Sequence, residues 1–511
     1  MVVPSPHRYL GNRLPNVAGE RKLMRVALSS ARICGRSAPD HALDEEKQMP
    51  IATPPIPASA AVGSPRRSRL DWFRSASFGL FIHFDQASRL GVDLSWPMVG
   101  LTSDDGTGVH ARSAVDYFRH ADEFDPREWD PRAIAQAARD AGMQYAVFTT
   151  KHHSGWASWP SEATPLNIST SPYGARGGDL VRDYVDAFRE AGLRIGFYYS
   201  VSDWSDPDYP AWRAEFAPYA FEEYPRATPE QWVRFREGMK AELSELLTNY
   251  GPIDLLWFDG GWERTEEEWD SAELERHIRS HQPDIVLNDR LPGIGDYVTP
   301  EQSIPAELLS DAWEACITMN DTWGWDPSDH DYKTTAHLIR TLVDCVANGG
   351  SLLLNVGPSS TGALPHEEEK SLHEIAGWMR THRESVIGAR PGLEPWQFYG
   401  PTTMNADALY LHLVAWPDET ATVRGIRPQS VLGVELLTTG EDLDFRAVVD
   451  PAHARDDDPL GNLVISIPQD RPMGPLPVIR IRFRAGTAGT DRFTPVSVGG
   501  RGETPAPGSA G

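Results

Sequence analysis

Between residues 70 and 390 short apolar runs alternate with amphipathic stretches that stop at glycine, and few folds can use such a rhythm. The runs at 78–84, 145–150, 194–200, 253–259, 284–289 and 351–357 are too short for helices and read as strands buried on both faces. Helical patterns fill the intervals at 133–139, 180–191, 231–250, 274–280, 334–348 and 366–382, and Gly142, Gly192 and Gly251 end the first three. Strands that alternate with helices imply βα units around a parallel sheet. Seven or so units favour a closed (β/α)8-like TIM barrel over an open doubly wound sheet. No Gly-x-Gly-x-x-Gly follows the first strand, which argues against a dinucleotide fold.

Outside this region the pattern changes. Residues 1–66 are rich in Pro, Ala, Ser and Arg without a sustained period, and are expected to be a disordered N-terminal extension. Met49 is an alternative start. The barrel is expected over 67–391. Short strands divided by turns at 408–414, 431–437, 463–467 and 478–483 predict an all-β sandwich domain over 392–487, and 488–511 reads as a disordered tail.

Composition excludes some partners. A formal net charge of -25 would repel a nucleic-acid backbone and an anionic membrane surface, so neither is expected to bind. No apolar run is long enough to span a bilayer. Residues 1–50 lack the continuous apolar core of a signal peptide, and Cys34, Cys316 and Cys345 have no metal or disulfide spacing; a cytoplasmic protein with reduced thiols is the simple expectation. Seventeen Trp offer flat faces that suit sugar rings, though they suit cores as well.

The conspicuous polar clusters fall at strand ends: His83; Lys151 to Trp156; Tyr198, Tyr199, Asp203 and Trp204; Asp259; and Asn288-Asp289-Arg290. In a barrel these ends converge on one mouth. No Gly-x-Ser-x-Gly elbow supports a serine nucleophile. His83, His152, His153 and Asp259 can also be read as a metal set of a metallohydrolase. Against that, His83-Phe84-Asp85 is not a His-x-His pair, and adjacent histidines on a strand point opposite ways. No metal and no cofactor is expected.

Two carboxyl groups facing each other across an anomeric carbon would serve glycoside cleavage. Asp259 is the first candidate. For the second, Glu301 follows the fifth strand by a loop, with Glu314, Glu263 and Asp289 as rivals. Thr299-Pro300-Glu301 also fits an ordinary helix start.

Six stretches resemble glycoside hydrolase family 29, the α-L-fucosidases: Phe78-Gly79-Leu80-Phe81-Ile82-His83, Lys151-His152-His153-Ser154-Gly155-Trp156, Ile195-Gly196-Phe197-Tyr198-Tyr199-Ser200, Trp257-Phe258-Asp259-Gly260, Asn288-Asp289-Arg290 and Asn355-Val356-Gly357-Pro358. They stand in the family's order. The resemblance implies a barrel followed by a β-sandwich and an exo-acting, retaining α-L-fucosidase on fucosylated oligosaccharides or glycoconjugates. It implies Asp259 as nucleophile and Glu301 as acid/base, the latter needing a raised pKa to arrive protonated. It implies that His83, His152, His153, Tyr198 and Arg290 hold the sugar hydroxyls, that Trp257 lines the pocket and that Trp323 packs on the sugar's methyl face. Asp85, Ser95 and Ser154 depart from the family's usual residues near the rim. Alternatives are an exo-glycosidase for α-L-galactosides and a sugar-binding protein that does not cleave. Homo-oligomerisation stays open.

Overall fold

Seven strands carry the sheet of the first half: β1 Phe78–Ile82, β2 Tyr145–Lys151, β3 Arg194–Ser200, β4 Leu255–Asp259, β5 Val286–Leu287, β6 Glu314–Thr318 and β7 Ser351–Val356. In this computed structural model residues 65–99, 117–118, 121–210, 225–305, 309, 311–449, 451 and 459–484 are described. Residues 1–64 of the expected extension and the expected tail lie outside them.

The seven strands pair in the order β5-β4-β3-β2-β1-β7-β6, and every pairing is parallel. The sheet curls. Residues 297–301 fill the gap between its edges. Tyr297 bridges Asn288 just past β5, while Val298 and Glu301 bridge Trp313 and Cys316 on the β6 side, all in parallel sense. An extended stave therefore completes a ring of eight. The alternative of a helix starting at Thr299-Pro300-Glu301 is not what forms. Pro300 has no N–H to give, and its carbonyl accepts Cys316 N–H at 3.1 Å.

Strand parity sorts the side chains. Phe81, Tyr145, Val147, Tyr198, Leu255, Trp257, Cys316 and Leu353 pack together inside the ring. Their neighbours Leu80, Ile82, Phe148, Phe197, Leu256, Phe258, Leu352 and Leu354 join the larger core with the helices. The same parity, continued past the strand ends, aims Asp259, two residues after Trp257, into the mouth.

The amino-terminal end of the ring is closed by helix α1, Pro65–Ser75, which straddles the expected boundary at residue 66. Leu70 and Phe73 sit with the interior residues, and the Phe73 ring lies 4.3 Å from that of Tyr297. Arg69 pairs with buried Asp296 at 2.9 Å, and Arg279 meets the same carboxylate at 3.0 Å. Helices Pro131–Asp140, Leu180–Glu190, Pro229–Asn249, Ser271–His281, Thr335–Ala347 and His366–His382 match the predicted periods to within a few residues. Asp130, Asp179 and Thr228 cap the first three through backbone N–H groups.

Beyond the barrel, β8 Arg390–Pro391, β9 Thr402–Met404, β10 Ala408–His412, β12 Val431–Leu436, β13 Glu441–Asp442 and β16 Val478–Phe483 form one antiparallel sheet. A second sheet holds β11 Thr420–Ile426, β14 Phe445–Val449 and β15 Gly461–Ser466. Leu409, Leu411, Ile479 and Ile481 of the first meet Val423, Leu463 and Ile465 of the second in a separate core. The helix His366–His382 ties the sandwich to the barrel, with Trp378 Nε1 donating to Leu476 O at 3.3 Å and His382 Nε2 paired with Thr438 Oγ1 at 2.9 Å. Among the described residues no helix is long and apolar enough to cross a membrane.

Phe73 is 2% exposed and plugs the ring from below. Phe73→Ala is expected to cost about 3–5 kcal/mol by denaturant titration, as buried Phe truncations do. A loss below about 1 kcal/mol would show that α1 is not part of the barrel core.

Candidate active site

Asp259 ends β4, and the chain turns at Gly260 with φ 76°; a Cβ there would lie 2.5 Å from Ser202 Oγ, so only glycine fits this approach. The Asp259 carboxylate is buried with a specific set of partners. Tyr198 OH donates to Oδ2 at 2.8 Å, Arg290 Nη1 donates to Oδ1 at 3.3 Å, and His153 Nε2 lies 3.7 Å from Oδ2. Burial pushes Asp259 above the usual carboxylate range, and the Arg290 charge, the Tyr198 hydroxyl and the Gly260 N–H pull against it.

Arg290 bridges two acids. Its Nη2 meets Glu301 Oε2 at 2.7 Å while Nη1 holds Asp259. Burial disfavours its charge, but Glu301 and Asp259 outweigh burial and keep it a cation. Its side chain is steadied by Thr299 Oγ1 at 3.1 Å and by the Trp257 ring, 4.7 Å from the guanidinium carbon. Glu301 stands at the carboxyl end of its stave, as Asp259 does at the end of β4, and 21% of its side chain is exposed.

The rivals of Glu301 face elsewhere. Glu314 opens β6 rather than ending it, and it is buried beneath Trp257, accepting from Tyr145 OH, Trp257 Nε1 and Tyr297 OH. Glu263 is taken up by Trp204 Nε1 and Tyr209 OH. Asp289 accepts the Thr299 N–H at 3.1 Å and its hydroxyl at 2.6 Å, shaping the loop that presents Glu301.

Three histidines share this mouth. The rings of His152 and His153 are 4.1 Å apart, and His152 stacks 5.5 Å from Tyr198. His83 lies 5.4 Å from Tyr198. The expectation that His152 and His153 point apart is corrected by the geometry. Both stand beyond the end of β2, where strand alternation no longer applies, and each offers an atom, with one from Asp259, within 4.8 Å of the others. That trio could ligate a cation. Arg290, already on Asp259, sets a fixed positive charge beside it and disfavours one.

The residues behind the histidines were not singled out as site residues from sequence. Asn355 Oδ1 meets His83 Nδ1 at 2.6 Å, Ser95 Oγ meets His152 Nδ1 at 2.5 Å, and Ser200 Oγ meets His153 Nδ1 at 2.6 Å. Parity from Leu353 would have placed Asn355 inside the ring; Ser95, on a long connection, carries no such signal. Ser95 also accepts the Ser154 N–H at 2.9 Å, so two of the three departures meet around His152. The third, Asp85, caps the turn Gln86–Leu90 through Ala87 N–H at 2.7 Å. Behind the His152–His153 turn, Lys151 is buried between Glu242 at 2.6 Å and Asp203 at 3.2 Å.

Aromatic rings wall the site. Trp96, Trp204 and Trp262 approach His153 with centroids at 5.2, 4.9 and 5.8 Å. Trp323 lies 5.1 Å from His83 and 5.9 Å from Phe81, its loop pinned by Asp93, which accepts the N–H groups of Trp323 and Gly324. Trp257 is 2% exposed and sits one layer below the rim, under Arg290 and against Tyr198 at 5.5 Å. It builds the floor rather than the open wall.

The family model described as alpha-L-fucosidase matches residues 60–384. The chain is 29% identical to an alpha-L-fucosidase of Dictyostelium discoideum over 63% of its own length and 72% of that protein. It is 27% identical to the tissue alpha-L-fucosidase of Homo sapiens over 78% of its length and 85% of the relative. Among solved structures, alpha-L-fucosidase isoenzyme 1 from Paenibacillus thiaminolyticus superposes with a TM-score of 0.71 at 32% identity, covering 82% of this chain and all of the other. A GH29 alpha-L-fucosidase from Bacteroides thetaiotaomicron, trapped as a covalent intermediate with 2-fluoro-fucosyl fluoride, superposes with a TM-score of 0.68 at 25% identity, covering 83% of this chain and 97% of the other.

Burial lowers all three imidazoles, His83 and His153 to about 3 and His152 well below its ordinary value. A lowered value keeps them neutral at every pH above it. Nitrogen-15 spectra of labelled protein are expected to show all three uncharged and unchanging from pH 5 to pH 8. A titration midpoint in that window for any one would contradict this electrostatic account.

Proposed function

Since this chain belongs to the α-L-fucosidase family of glycoside hydrolases, we propose that it hydrolyses terminal α-L-fucosides with retention of configuration, through a covalent sugar ester on Asp259. Fucosylated oligosaccharides or glycoconjugates are its substrates. The observation that carries the reading is Arg290, whose two terminal nitrogens reach Asp259 and Glu301 at one mouth. Retention needs the two carboxyl groups about 5–5.5 Å apart, and a shared guanidinium draws Asp259 and Glu301 toward one another.

The first step breaks the bond from the anomeric carbon to the leaving oxygen. An Asp259 oxygen forms the new bond to that carbon, and Glu301 gives its proton to the departing oxygen. In the second step Glu301 takes a proton from water, the water oxygen bonds to the anomeric carbon and Asp259 is released. Arg290 faces one carboxylate throughout, because Glu301 becomes anionic in the step that esterifies Asp259. Tyr198 donates to Asp259 before attack and restrains its rotation. Neutral His83, His152 and His153 offer ring nitrogens to the sugar hydroxyls.

A methyl group in place of a hydroxymethyl suits an aromatic wall. The packing of Trp323 on Phe81 and His83 supplies one, and it favours fucose over galactose. Selectivity for an aryl α-L-fucoside over the matching α-L-galactoside is expected to be on the order of 10–200-fold, the usual range for small changes in an apolar pocket; equal rates would reverse the assignment of Trp323.

Asp259→Ala is expected to lower kcat for an aryl α-L-fucoside by at least about 10³-fold while the protein stays folded. Wild-type-like turnover by this variant would overturn the proposal. Glu301→Ala should lose about 10²–10⁴-fold on natural linkages and much less with a good leaving group, with partial rescue by azide. Equal losses on both substrates, without rescue, would remove Glu301 from the acid/base role.

A further inference from the structure

Glu314 is a buried carboxyl inside the ring that the hydrolytic steps do not use. It starts β6, two residues below Cys316 on the inward face. Its relative exposure is 0%. Three donors reach it: Trp257 Nε1 at 3.1 Å and Tyr297 OH at 3.2 Å on Oε1, and Tyr145 OH on Oε2. Burial pushes this carboxyl up to about 7, and those three donors pull against burial.

Among its partners, Trp257 points toward the chemistry. The upper face of the indole carries the Arg290 guanidinium, 4.7 Å away. The ring also stacks on Tyr198 with an interplanar angle of 19°. Among the described residues, Arg290 and Tyr198 are the two whose side chains hydrogen-bond Asp259. The indole is thus the common seat of both Asp259 partners, and its N–H donates to Glu314. Rotation of the ring about its attachment would tilt both contacts at once.

Resting on the fucosidase reading, we propose that Glu314 is a positioning residue for hydrolysis: by accepting the Trp257 N–H from inside the barrel it fixes the indole that seats Arg290 and Tyr198 against Asp259. The residue touches neither sugar nor reacting atoms. Its effect reaches the rate through the orientation of the Asp259 carboxylate, while His83, His152 and His153 are held by Asn355, Ser95 and Ser200 rather than by Glu314.

Steady-state kinetics on the full chain with an aryl α-L-fucoside tests this. Glu314→Gln keeps the size of the side chain but sets an amide NH2 against one of the donors, so it cannot accept from all three. The expected result is a fall in kcat of about 10–100-fold, the scale of a misplaced catalytic group, with KM changed less than about threefold. Trp257→Phe keeps a ring but removes the N–H and should lower kcat with the same sparing of KM. The double variant should be no worse than the worse single, because both changes break one link.

Unchanged kcat in folded Glu314→Gln would overturn the proposal, as would a double variant whose loss is the product of the two single losses. If Glu314→Gln does not fold, Trp257→Phe decides alone: kcat equal to wild type overturns the proposal, and a drop in kcat with KM preserved supports it. Turnover by the wild type establishes the fucosidase reading independently, so a failure of one does not count as a failure of the other.

Discussion

One guanidinium between two carboxylates governs this mouth. Arg290 is buried, and a buried cation is costly unless its partners are well placed. Asp259 and Glu301 both reach it, so that whichever is ionised supplies opposite charge, Thr299 accepts a further N–H, and the Trp257 face covers the plane. This arrangement also limits the chemistry. Two acids on one cation can exchange the roles of charged and neutral partner without leaving Arg290 alone, which is the charge movement that a double displacement demands. Metal ligation at the same place would have to compete with that fixed charge.

The barrel makes the arrangement rigid. Alternation along β4 sends Leu255, Trp257 and Asp259 inward in successive layers, so that floor and proposed nucleophile come from one strand. The neighbouring β3 adds Tyr198 in the same layer as Trp257, with which it pairs in register. Glu301 arrives from a stave that is bridged on both sides, not from a free loop. The histidines come from beyond strand ends, and each has its Nδ1 engaged by a hydroxyl or amide oxygen, which fixes the ring. Below, α1 seals the ring and packs on Tyr297, so the support runs continuously from the closed end to the mouth.

Much of this was legible in the residues because burial on two faces leaves a plain mark. The runs ending at Ser200 and Asp259, and the helix His366–His382, were predicted to within a residue or two at each end. The ring's eighth member was not, since Pro300 interrupts it and isolated bridges replace a ladder. β6 carries no plain strand signal because it opens on Glu314, a carboxylate that no strand pattern anticipates inside a core. Sequence spacing alone leaves Glu301 beside Glu314, Glu263 and Asp289; the family resemblance favours Glu301, and the three-dimensional partners of the other three hold them elsewhere. The adjacent histidines were expected to diverge by strand alternation, a rule that stops where the strand does. Trp257 is expected to line the pocket, and two positions below the strand end it lies one layer beneath the rim.

The central claim is that Asp259 bonds to the anomeric carbon. Incubation with a 2-fluoro-fucosyl fluoride, followed by peptide mass analysis, tests it most directly. The account predicts one fluorofucosyl adduct per chain, on Asp259. A label on Glu301 or another side chain, or turnover giving an inverted sugar with no adduct, would contradict it.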